Sequence, residues 1–471
     1  MKICHIHIDD EVNCRITGLE KEHTDFLWDK LGIFVDGYFH MPAYQLRRWD
    51  GKIRFYEKTG KTFTKILDEI VPYIYAWGYD FDLQDHRKPA PVITDRIDED
   101  FFGIPTFKLR PYQVEVVNGL LEEGSGFGIC ATGSGKTSMC AALSTVLYLN
   151  GMQTIVVVPS SDLVKQTVEE FKICLQNYPI TIGQYSGDTK DIDHPIVVAT
   201  WQALQNAPHY MAFFQAFIID EAHGAKANVI KDLVNNHGKH ISHRYGCTGT
   251  LPKPAVDQYS LKTSIGKIVR EVPARWLIDN GYLSEIEIEP VEVIENDDPE
   301  LPDYASERAY LTAHDERNAA LAKLIIEKRN QYGNTLVLVN TQGLQQGRDI
   351  QSLIEGSVYL DGSDSSEHRW EHYSQYAEKD DIIVIASAGI TSTGISIDRI
   401  FCEILLDTGK SFIKCVQSVG RGLRKKGDKY HLHVVDVHSN LKFSKRHYKE
   451  RLKYYNEAQY PVTKTVKLKY A

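Results

Sequence analysis

The sequence has no apolar run long enough to cross a bilayer. No uninterrupted stretch approaches the roughly 20 apolar residues that a membrane-spanning helix needs. The first residues, MKICHIHIDDEVNC, carry acids and polar side chains where a signal peptide would have an apolar block. These features argue against an integral membrane or secreted protein, and we expect a cytoplasmic location.

Paired cysteines are also missing. The eight cysteines are scattered along the chain, and none forms a C-x-x-C pair. In a cytoplasmic chain this pattern indicates reduced, mostly buried thiols instead of disulfides or a zinc site. Cys4, His5 and His7 are neighbouring residues of metal-ligating types, but no second ligand pair follows at the spacing of a tetrahedral site. We therefore expect no metal at these three residues.

The chain has no overall positive charge, since 54 Lys and Arg against 63 Asp and Glu give a net charge of −9. That average conceals two basic regions. Residues 421–471 contain 14 basic and 4 acidic residues, and residues 44–65 contain 7 basic and 2 acidic residues. Such patches can steer a polyanion to chosen faces of an acidic protein, although a solvated lysine-rich surface has the same composition.

Composition shifts divide the 471 residues into several blocks, as expected for a chain too long for one hydrophobic core. The predicted organisation is a small α+β N-terminal domain (1–85), a linker (86–105), a first α/β lobe (106–290), a linker with an entry helix (291–325), a second α/β lobe (326–440) and a basic, helical C-terminal tail (441–471).

Within the two lobes, short apolar runs alternate with helical patterns, which indicates βαβ units and parallel sheets. The predicted strands are 127–131, 154–159, 196–200, 216–220 and 244–248 in the first lobe, and 335–340, 357–362, 382–387, 403–407 and 432–436 in the second. Runs of Val and Ile without polar alternation fit strands covered by helices on both faces. The predicted fold class is α/β, with two parallel-sheet lobes in tandem.

The sequence ATGSGKTS (131–138) lies after a predicted strand and before a helical pattern, the context of a phosphate-binding loop. Small residues allow backbone N–H groups to surround the β- and γ-phosphates, Lys136 supplies a positive charge, and Thr137 offers a hydroxyl to Mg²⁺. Cys130 occupies the first glycine position of G-x-x-x-x-G-K-T, which tolerates small residues. The predicted ATP-binding residues of this loop are Thr132, Gly133, Ser134, Gly135, Lys136, Thr137 and Ser138.

The sequence AFIIDEAH (216–223) is an apolar strand that ends in two adjacent acids. Asp220 would hold Mg²⁺ together with Thr137, and Glu221 would orient and deprotonate the attacking water. Acids at a strand end can also cap the next helix, but the phosphate-binding loop upstream favours ATP hydrolysis. We therefore predict ATP and Mg²⁺ as cofactors and Lys136, Asp220 and Glu221 as catalytic residues.

Further motifs occur in the order typical of superfamily 2 helicases, which the sequence resembles. They are LRPYQ (109–113), PSSDLVKQT (159–167), VATWQAL (198–204), TGT (248–250), VNTQGLQQG (339–347), SAGITSTGISID (387–398) and QSVGRGLR (417–424), and the acidic motif reads DEAH. The resemblance implies that both lobes are RecA-like and that the protein is an ATP-dependent helicase.

The same resemblance implies roles for individual residues. Arg110 and Gln113 would contact the adenine, and Arg421 and Arg424 would reach the γ-phosphate as catalytic arginines. The residues that would couple hydrolysis to movement are His223, Thr248, Gly249, Thr250, Gly394, Asp398 and Gln417. The residues of the two lobes that would bind DNA are Ser160, Gln166, Thr200, Trp201, Asn340, Thr341, Thr391 and Thr393.

Nearly the whole chain is similar to the UvsW-type recombination helicases of T4-like phages, including RRWDGKIRFY (47–56) and TGKTFTKILDEIV (59–71). This resemblance implies ATP-dependent unwinding of forks, Holliday junctions and R-loops in recombination, replication-fork processing and repair. It implies DNA as the partner, with RNA–DNA hybrids as a further substrate, and the host cytoplasm as the location. We expect a monomer, because each lobe supplies half of the ATP site.

The N-terminal basic region interleaves cations with aromatic residues. The cations are Arg47, Arg48, Lys52 and Arg54, and the aromatic residues are Trp49, Phe55 and Tyr56. Cations can neutralise phosphates while an aromatic ring stacks on an unpaired base, so we hypothesise that this region recognises a DNA branch. The alternative is a small sheet whose aromatic residues form its own core.

Three other functions remain open from the sequence. A double-stranded DNA translocase without strand separation would share every motif. An RNA helicase also remains open, since the acidic motif reads DEAH, although we find no long accessory C-terminal domains of the DEAH-box RNA-processing type. A non-hydrolysing ATP-gated clamp should have lost Glu221 or an arginine of the last motif, and both are present. Nucleic-acid-stimulated ATP hydrolysis would separate the enzyme from the clamp.

Overall fold

A computed structural model of the chain describes residues 2–187, 189–221, 227–252, 254–295, 301–340, 344–364, 372, 379–387, 399–407, 409 and 431–470. The chain divides into two compact units. The first contains Met1–Cys130 and Gly135–Val272, and the second contains Ala131–Ser134 and Pro273–Ala471.

The first unit begins with a small α+β region. Its elements are β1 (Lys2–Ile8), β2 (Asn13–Thr17), α1 (Lys21–Lys30), β3 (Gly32–Phe34), α2 (Pro42–Gln45), β4 (Lys52–Arg54), β5 (Lys61–Phe63), α3 (Leu67–Ala76) and β6 (Tyr79–Asp85), with short 3₁₀ turns at Tyr38–His40 and Thr64–Ile66. Four strands form a sheet in the order β5-β2-β1-β6, and β3 pairs with β4 in a separate ribbon. Alternate side chains of β1 (Cys4, Ile6 and Ile8) are buried, because successive residues of a strand face opposite sides.

The remainder of the first unit is built around an eight-stranded sheet. Its elements are α4 (Pro111–Glu123), β7 (Ser125–Cys130), α5 (Lys136–Leu149), β8 (Thr154–Val158), α6 (Ser161–Cys174), β9 (Ile182–Ser186), β10 (Thr189–Lys190), β11 (Ile196–Thr200), α7 (Trp201–Asn206), β12 (Ala216–Asp220), α8 (Ala227–Asp232), β13 (His243–Thr248), α9 (Ala255–Ser264) and β14 (Ile268–Val272), with a 3₁₀ helix at Pro208–Phe213 and a π-helical turn at Leu233–His237. The strand order is β10-β9-β11-β8-β12-β13-β7-β14. The central strands β8, β11 and β12 are buried throughout, as their continuous apolar sequences predict.

Specific bonds fasten the N-terminal region to this sheet and its helices. Glu69 of α3 accepts a hydrogen bond from the Tyr259 hydroxyl (2.9 Å) and pairs with Lys262, both on α9. Lys65 Nζ donates to Ser125 Oγ over 2.7 Å. These contacts make the N-terminal region and the first lobe one packed unit.

The predicted linker 86–105 is also held in place. The Asn118 side chain on α4 accepts from the Ile97 N–H and donates to the Ile97 carbonyl, each over 2.9 Å. Ile93 and Ile97 are buried. This segment of the linker is therefore packed against the first lobe.

The second unit contains a seven-stranded sheet in which every strand pair is parallel. Its elements are α10 (Ala274–Asp279), β15 (Glu285–Ile294), α11 (Tyr304–Thr312), α12 (Asp315–Tyr332), β16 (Thr335–Val339), α13 (Leu344–Ser352), β17 (Val358–Leu360), β18 (Ile383–Ser387), β19 (Cys402–Leu406), β20 (His431–Ser439), α14 (Lys442–Glu457) and β21 (Val466–Lys469). The strand order is β17-β18-β16-β19-β20-β15-β21.

Two features of this sheet differ from the sequence prediction. β15 begins at Glu285, inside the span assigned to the first lobe, yet it pairs with β20 of the second sheet from Glu285 to Val293. β21 lies in the predicted tail and pairs with β15, so the tail contributes a strand as well as a helix. β15 alternates polar and apolar residues, and β21 is mostly exposed, so neither strand has the continuous apolar run that marks the predicted strands of this lobe.

Buried ion pairs fix the helices of the second unit. The fully buried Arg317 of α12 donates to Glu295 (3.2 Å) and Asp407 (2.5 Å). Arg451 of α14 pairs with the buried Asp436 of β20 at 2.6 Å. The predicted C-terminal helix therefore packs on the second sheet through Arg451. The sequence did not distinguish this buried arginine from the other basic residues of the helix.

All ten predicted strands of the two lobes are present, and the predicted α/β fold class is confirmed. No helix in the described part of the chain combines the length and hydrophobicity required to cross a bilayer.

Candidate nucleotide and nucleic-acid sites

Three neighbouring strands of the first sheet end at one edge with the predicted motifs. β7 leads into the phosphate-binding loop, β13 ends at Thr248, and β12 ends at Asp220. The order β12-β13-β7 places the three strands side by side and parallel. Because ligands of parallel α/β sheets bind outside the carboxyl ends of the strands, this edge is the candidate nucleotide site.

The phosphate-binding loop requires glycine at two positions. Gly133 (φ 86°) and Gly135 (φ 77°) both adopt left-handed backbone conformations, and Gly135 caps the N-terminus of α5. A Cβ at Gly135 would lie 2.4 Å from Gln113 Nε2, so a side chain there requires the Gln113 amide to move. The free N–H groups of the first turn of α5, with its positive dipole end, form the expected anion site.

Gln113 connects this loop to the start of α4. Its Nε2 donates to the Gly135 carbonyl (3.4 Å), and its Oε1 accepts from the Arg110 N–H (2.8 Å). The side chain of Gln113 is buried, and the Arg110 guanidinium donates to the Tyr112 hydroxyl (3.0 Å). Both residues thus lie beside the loop, while their contact with adenine stays a prediction.

Lys136 and Glu221 form an ion pair, with Nζ 3.0 Å from Oε1. Burial lowers the pKa of Lys136, but the carboxylates of Glu221 and Asp220 outweigh it and the net effect is a raised pKa. Lys136 therefore remains charged. The predicted phosphate-binding cation and the predicted water-activating base are brought into direct contact.

Asp220 has the environment of a metal ligand. Burial and the adjacent Glu221 raise the pKa of its carboxyl to about 7. Its Oδ1 is buried and accepts no hydrogen bond from the described residues. A bound divalent cation would satisfy this oxygen, and the carboxylate of Asp220 with the hydroxyl of Thr137 supplies the hard oxygen donors that Mg²⁺ prefers. The residues present therefore fit the predicted ion.

Glu221 occupies a strained backbone position. Its φ is 55°, in the left-handed region, and its N–H donates to the Cys247 carbonyl of β13 over 3.0 Å. A non-glycine residue held there costs on the order of 1–3 kcal/mol, and such residues cluster at functional sites. Nothing in the sequence signals this conformation.

The residues TGT (248–250) lie between the loop and the acids. Thr248 is buried, and its hydroxyl donates to the Thr250 carbonyl over 2.8 Å. Gly249 and Thr250 are half-buried at the same edge.

Cys130, at the first glycine position of the loop motif, is fully buried, and burial raises the pKa of its thiol to about 12. It therefore packs as a small apolar residue.

Two predicted DNA contacts of the first lobe are helix caps. Ser160 Oγ accepts from the Leu163 N–H at the start of α6, and Thr200 Oγ1 accepts from the Ala203 N–H at the start of α7, each over 3.3 Å. Thr200 is buried. The structure gives both hydroxyls a local role, and contact with DNA stays a prediction.

The other predicted DNA-binding residues that the structure describes in the two lobes also contact neighbouring residues of the protein. Gln166 donates to Glu170 (2.7 Å), and Asn340 donates to the Tyr304 hydroxyl (3.3 Å). Trp201 is half-buried against the apolar core of the first lobe. The remaining predicted residues lie outside the described part of the chain: His223, Thr341, Thr391, Thr393, Gly394, Asp398, Gln417, Arg421 and Arg424.

In the N-terminal region, Arg47 and Arg48 are exposed on the segment between β3 and β4. The other two predicted cations are engaged within the region. Lys52 pairs with Asp29 at 2.7 Å. Arg54 pairs with Asp50 and lies 3.8 Å from the centroid of the Trp28 ring. Arg47 and Arg48 are therefore the better placed pair for phosphate contacts.

The predicted stacking role of Phe55 and Tyr56 is wrong. Both are almost fully buried in the core of the N-terminal region, so the alternative interpretation of these aromatic residues was correct. The indole of Trp49 donates to the Lys52 carbonyl over 2.8 Å.

The structure exposes other apolar side chains in the part of the chain that contains Arg47 and Arg48. Phe34, Phe39 and Leu46 are 48%, 54% and 61% exposed. All three belong to β3 or the segment that connects it to β4. Sequence reasoning missed them because exposure of an isolated Phe or Leu has no sequence signal.

The side chains of Cys4, His5 and His7 do not converge on one point. Cys4 is buried, whereas His5 lies on the opposite, exposed face of β1, 3.4 Å from Asp82. Alternation along the strand keeps the thiol and the imidazoles on opposite faces.

Comparison with known proteins finds similarity to DNA helicases and to a subunit of restriction enzymes. The family model for the res subunit of type III restriction enzymes matches residues 106–253. The ATP-dependent DNA helicase UvsW of Enterobacteria phage T4 is 25% identical over 92% of this chain and 90% of its own length. The DNA 3′-5′ helicase XPB of Kineococcus radiotolerans is 25% identical over 72% of this chain, which spans 62% of that protein.

Among solved structures, a fragment assigned to the HsdR subunit of a type I restriction enzyme from Vibrio vulnificus YJ016 shares the fold. It has a TM-score of 0.58 and 18% identity, and the match covers 79% of this chain and 72% of that fragment. The sequence matches confirm the resemblance to superfamily 2 helicases and the predicted enzyme class, an ATP-dependent helicase, and the structural match shows the shared fold.

Proposed function

We propose that this superfamily 2 helicase uses ATP hydrolysis to unwind or branch-migrate branched DNA. The observation that carries the proposal is the convergence of Lys136, Asp220 and Glu221 beside the phosphate-binding loop at one sheet edge. The similarity to the phage T4 DNA helicase UvsW, which extends over 92% of this chain, supports DNA as the track.

In this proposal the backbone N–H groups after Gly133 and Gly135 and the charge of Lys136 hold the β- and γ-phosphates. Asp220 and Thr137 would hold Mg²⁺, which would supply positive charge to the phosphates when bound. When Lys136 turns to a phosphate, it leaves Glu221, whose carboxylate then orients the attacking water. Arg421 and Arg424 would stabilise charge on the γ-phosphate from the second lobe.

We propose that residues 1–85 form the DNA-recognition domain and that residues 106–290 and 326–440 form the two motor lobes. Arg47 and Arg48 would contact phosphates at a branch. Phe39, which is more exposed than Phe34, would stack on an unpaired base in place of Phe55 and Tyr56. Because Glu69 and Lys65 fasten this region to the first lobe, a contact at the branch would move with that lobe.

The proposed substrates are forks, Holliday junctions and R-loops, so RNA–DNA hybrids are included. The proposed setting is recombination, replication-fork processing and repair in the host cytoplasm. We propose that a monomer carries out the reaction.

The test is ATP-dependent conversion of a labelled four-way junction and of a model replication fork, with a Glu221→Gln variant as the control. The expected result is conversion by the wild type and none by the variant. Hydrolysis of ATP on DNA with both substrates left intact would contradict branch processing and favour a double-stranded DNA translocase. ATP hydrolysis stimulated by RNA and not by DNA would favour an RNA helicase.

A further inference from the structure

We propose that Glu287, His431 and His433 form a binding site for one divalent transition-metal ion of the Zn²⁺ class. The site lies on the second sheet, where β15 and β20 run side by side. It is separate from the Mg²⁺ site proposed at Asp220 and Thr137, and none of the helicase motifs includes these residues.

The strand register brings the three side chains to one face. His431 and His433 are two residues apart on β20 and therefore point to the same side of the sheet. β15 is parallel to β20, with Glu287 opposite His433 and Glu285 opposite His431. One ligand atom from each of Glu287, His431 and His433 lies within 4.8 Å of the others.

The distances suit a tetrahedral ion. Glu287 Oε2 lies 3.6 Å from His433 Nδ1, and the two imidazole centroids are 4.3 Å apart. Ligands bound at about 2.1 Å in tetrahedral geometry lie roughly 3.4 Å from each other, so only small side-chain movements are needed. Since His431 is exposed, solvent can supply a fourth ligand.

The surroundings favour a cation. The alternation of β15 places Glu285, Glu287 and Glu289 on one face, and Lys328 pairs with Glu289 at 2.6 Å. Two carboxylates of that face, Glu285 and Glu287, therefore remain without this lysine as a partner. A carboxylate beside two imidazoles is a ligand set typical of zinc and related metals, whereas Mg²⁺ prefers oxygen alone.

His433 is held ready to bind. The ring of Tyr332, at the end of α12, stacks on its imidazole with centroids 3.7 Å apart. This stacking fixes the orientation of the imidazole ring, whose Nδ1 lies 3.6 Å from Glu287 Oε2.

The chain contains a matched control for this geometry. His5 and His7 on β1 have the same spacing, and Asp82 on the adjacent parallel strand lies 3.4 Å from His5. Their ring centroids are 6.3 Å apart, and the three side chains do not converge as those of the proposed site do. Substitution of His5 and His7 therefore removes an H-x-H pair without removing a ligand of the proposed site.

The experiment is titration of the metal-free, full-length protein with Co²⁺ in the absence of nucleotide, followed by visible absorption, with Zn²⁺ as the competitor. The expected result is one tetrahedral Co²⁺ site that Zn²⁺ displaces. His433→Gln and Glu287→Gln should each weaken the affinity by about tenfold or more, and His5→Gln/His7→Gln should bind as the wild type does.

Circular dichroism of each variant establishes that it is folded, and Glu287→Gln keeps the shape of the side chain if His433→Gln is unstable. The proposal is overturned if the wild-type protein binds neither Co²⁺ nor Zn²⁺. It is equally overturned if the folded His433→Gln and Glu287→Gln variants bind as tightly as the wild type.

Discussion

The ammonium of Lys136 lies 3.0 Å from the carboxylate of Glu221, and the two side chains are only 7% and 18% exposed. Each residue belongs to a different motif, and together they form an ion pair at the edge where nucleotide is proposed to bind. In the proposed mechanism, a phosphate that takes over the ammonium would also release the carboxylate of Glu221, the proposed base. The ion pair would then link phosphate binding to the availability of that base.

This link predicts different defects for the two residues. Glu221→Gln should retain ATP binding but lower the hydrolysis rate by about 10²- to 10⁴-fold, because the amide cannot accept a proton from water. Lys136→Ala should lose ATP binding itself, because the phosphates lose their cation. DNA-stimulated ATPase assays and binding of a fluorescent ATP analogue would separate the two, and a Glu221→Gln variant that hydrolyses ATP near the wild-type rate would contradict the assigned role.

The bond between Gln113 and the loop predicts that Gly135→Ala abolishes nucleotide binding. The new Cβ would meet Gln113 Nε2 at 2.4 Å, so the bond between Gln113 and the loop would be lost. Gly151→Ala is a matched control, since Gly151 has the same φ of 77° and no atom within 4 Å of the added Cβ. It should cost roughly 1 kcal/mol of unfolding free energy and leave ATP affinity unchanged. Equal affinity in both variants would show that Gln113 does not position the loop.

Exposure of Arg47 and Arg48 predicts that Arg47→Ala/Arg48→Ala weakens fork binding. Loss of two phosphate contacts should reduce the slope of log affinity against log salt by about 2. Lys21→Ala/Lys30→Ala removes two exposed cations from α1 of the same region and should leave the slope unchanged. Fluorescence anisotropy over a salt series measures this, and equal slopes in both double variants would contradict branch recognition by Arg47 and Arg48.

The buried His243 predicts a loss of stability in mild acid. Burial lowers the pKa of its imidazole below the ordinary 6.5, and its nitrogens contact the Pro91 carbonyl and the Tyr245 hydroxyl. As pH falls through about 6.5, the unfolded chain takes up a proton that the native imidazole resists, so the free energy of unfolding decreases.

His243→Gln should therefore flatten the pH dependence of the free energy of unfolding between pH 7.5 and 5. His86→Gln, at an exposed position, should retain the wild-type dependence. Urea unfolding at several pH values is the measurement. An unchanged dependence in His243→Gln would mean that this imidazole does not titrate on unfolding in that range.

The buried ion pairs of Arg317 predict a large loss of stability on its removal. Arg317→Met would leave the carboxylates of Glu295 and Asp407 without their buried partner, at a cost of about 3–5 kcal/mol in the free energy of unfolding. Arg446→Met replaces an exposed arginine of α14 and should change the free energy little. Denaturant unfolding would contradict the prediction if both variants lost a similar amount.

Much of the fold was predictable because its signals are local. Runs such as TIVVVP and IVVAT are apolar without alternation, and a strand buried on both faces has this pattern wherever it occurs. The loop ATGSGKTS and the acids at the end of β12 were recognisable for the same reason. Each motif consists of consecutive residues of characteristic types that follow a strand.

The tertiary structure decided which of these residues meet and which side chains face solvent. The sequence did not show that Gln113 holds Gly135, that Lys136 pairs with Glu221, or that Glu221 adopts a left-handed backbone. It also did not distinguish Phe55, which is buried, from Phe39, which is exposed. The sequence by itself determined the strands, the loop and the acids, because periodicity and residue type act within a few positions. Contacts, exposure and backbone strain depend on strand order and on packing between segments distant in the chain, and only the folded structure specifies these.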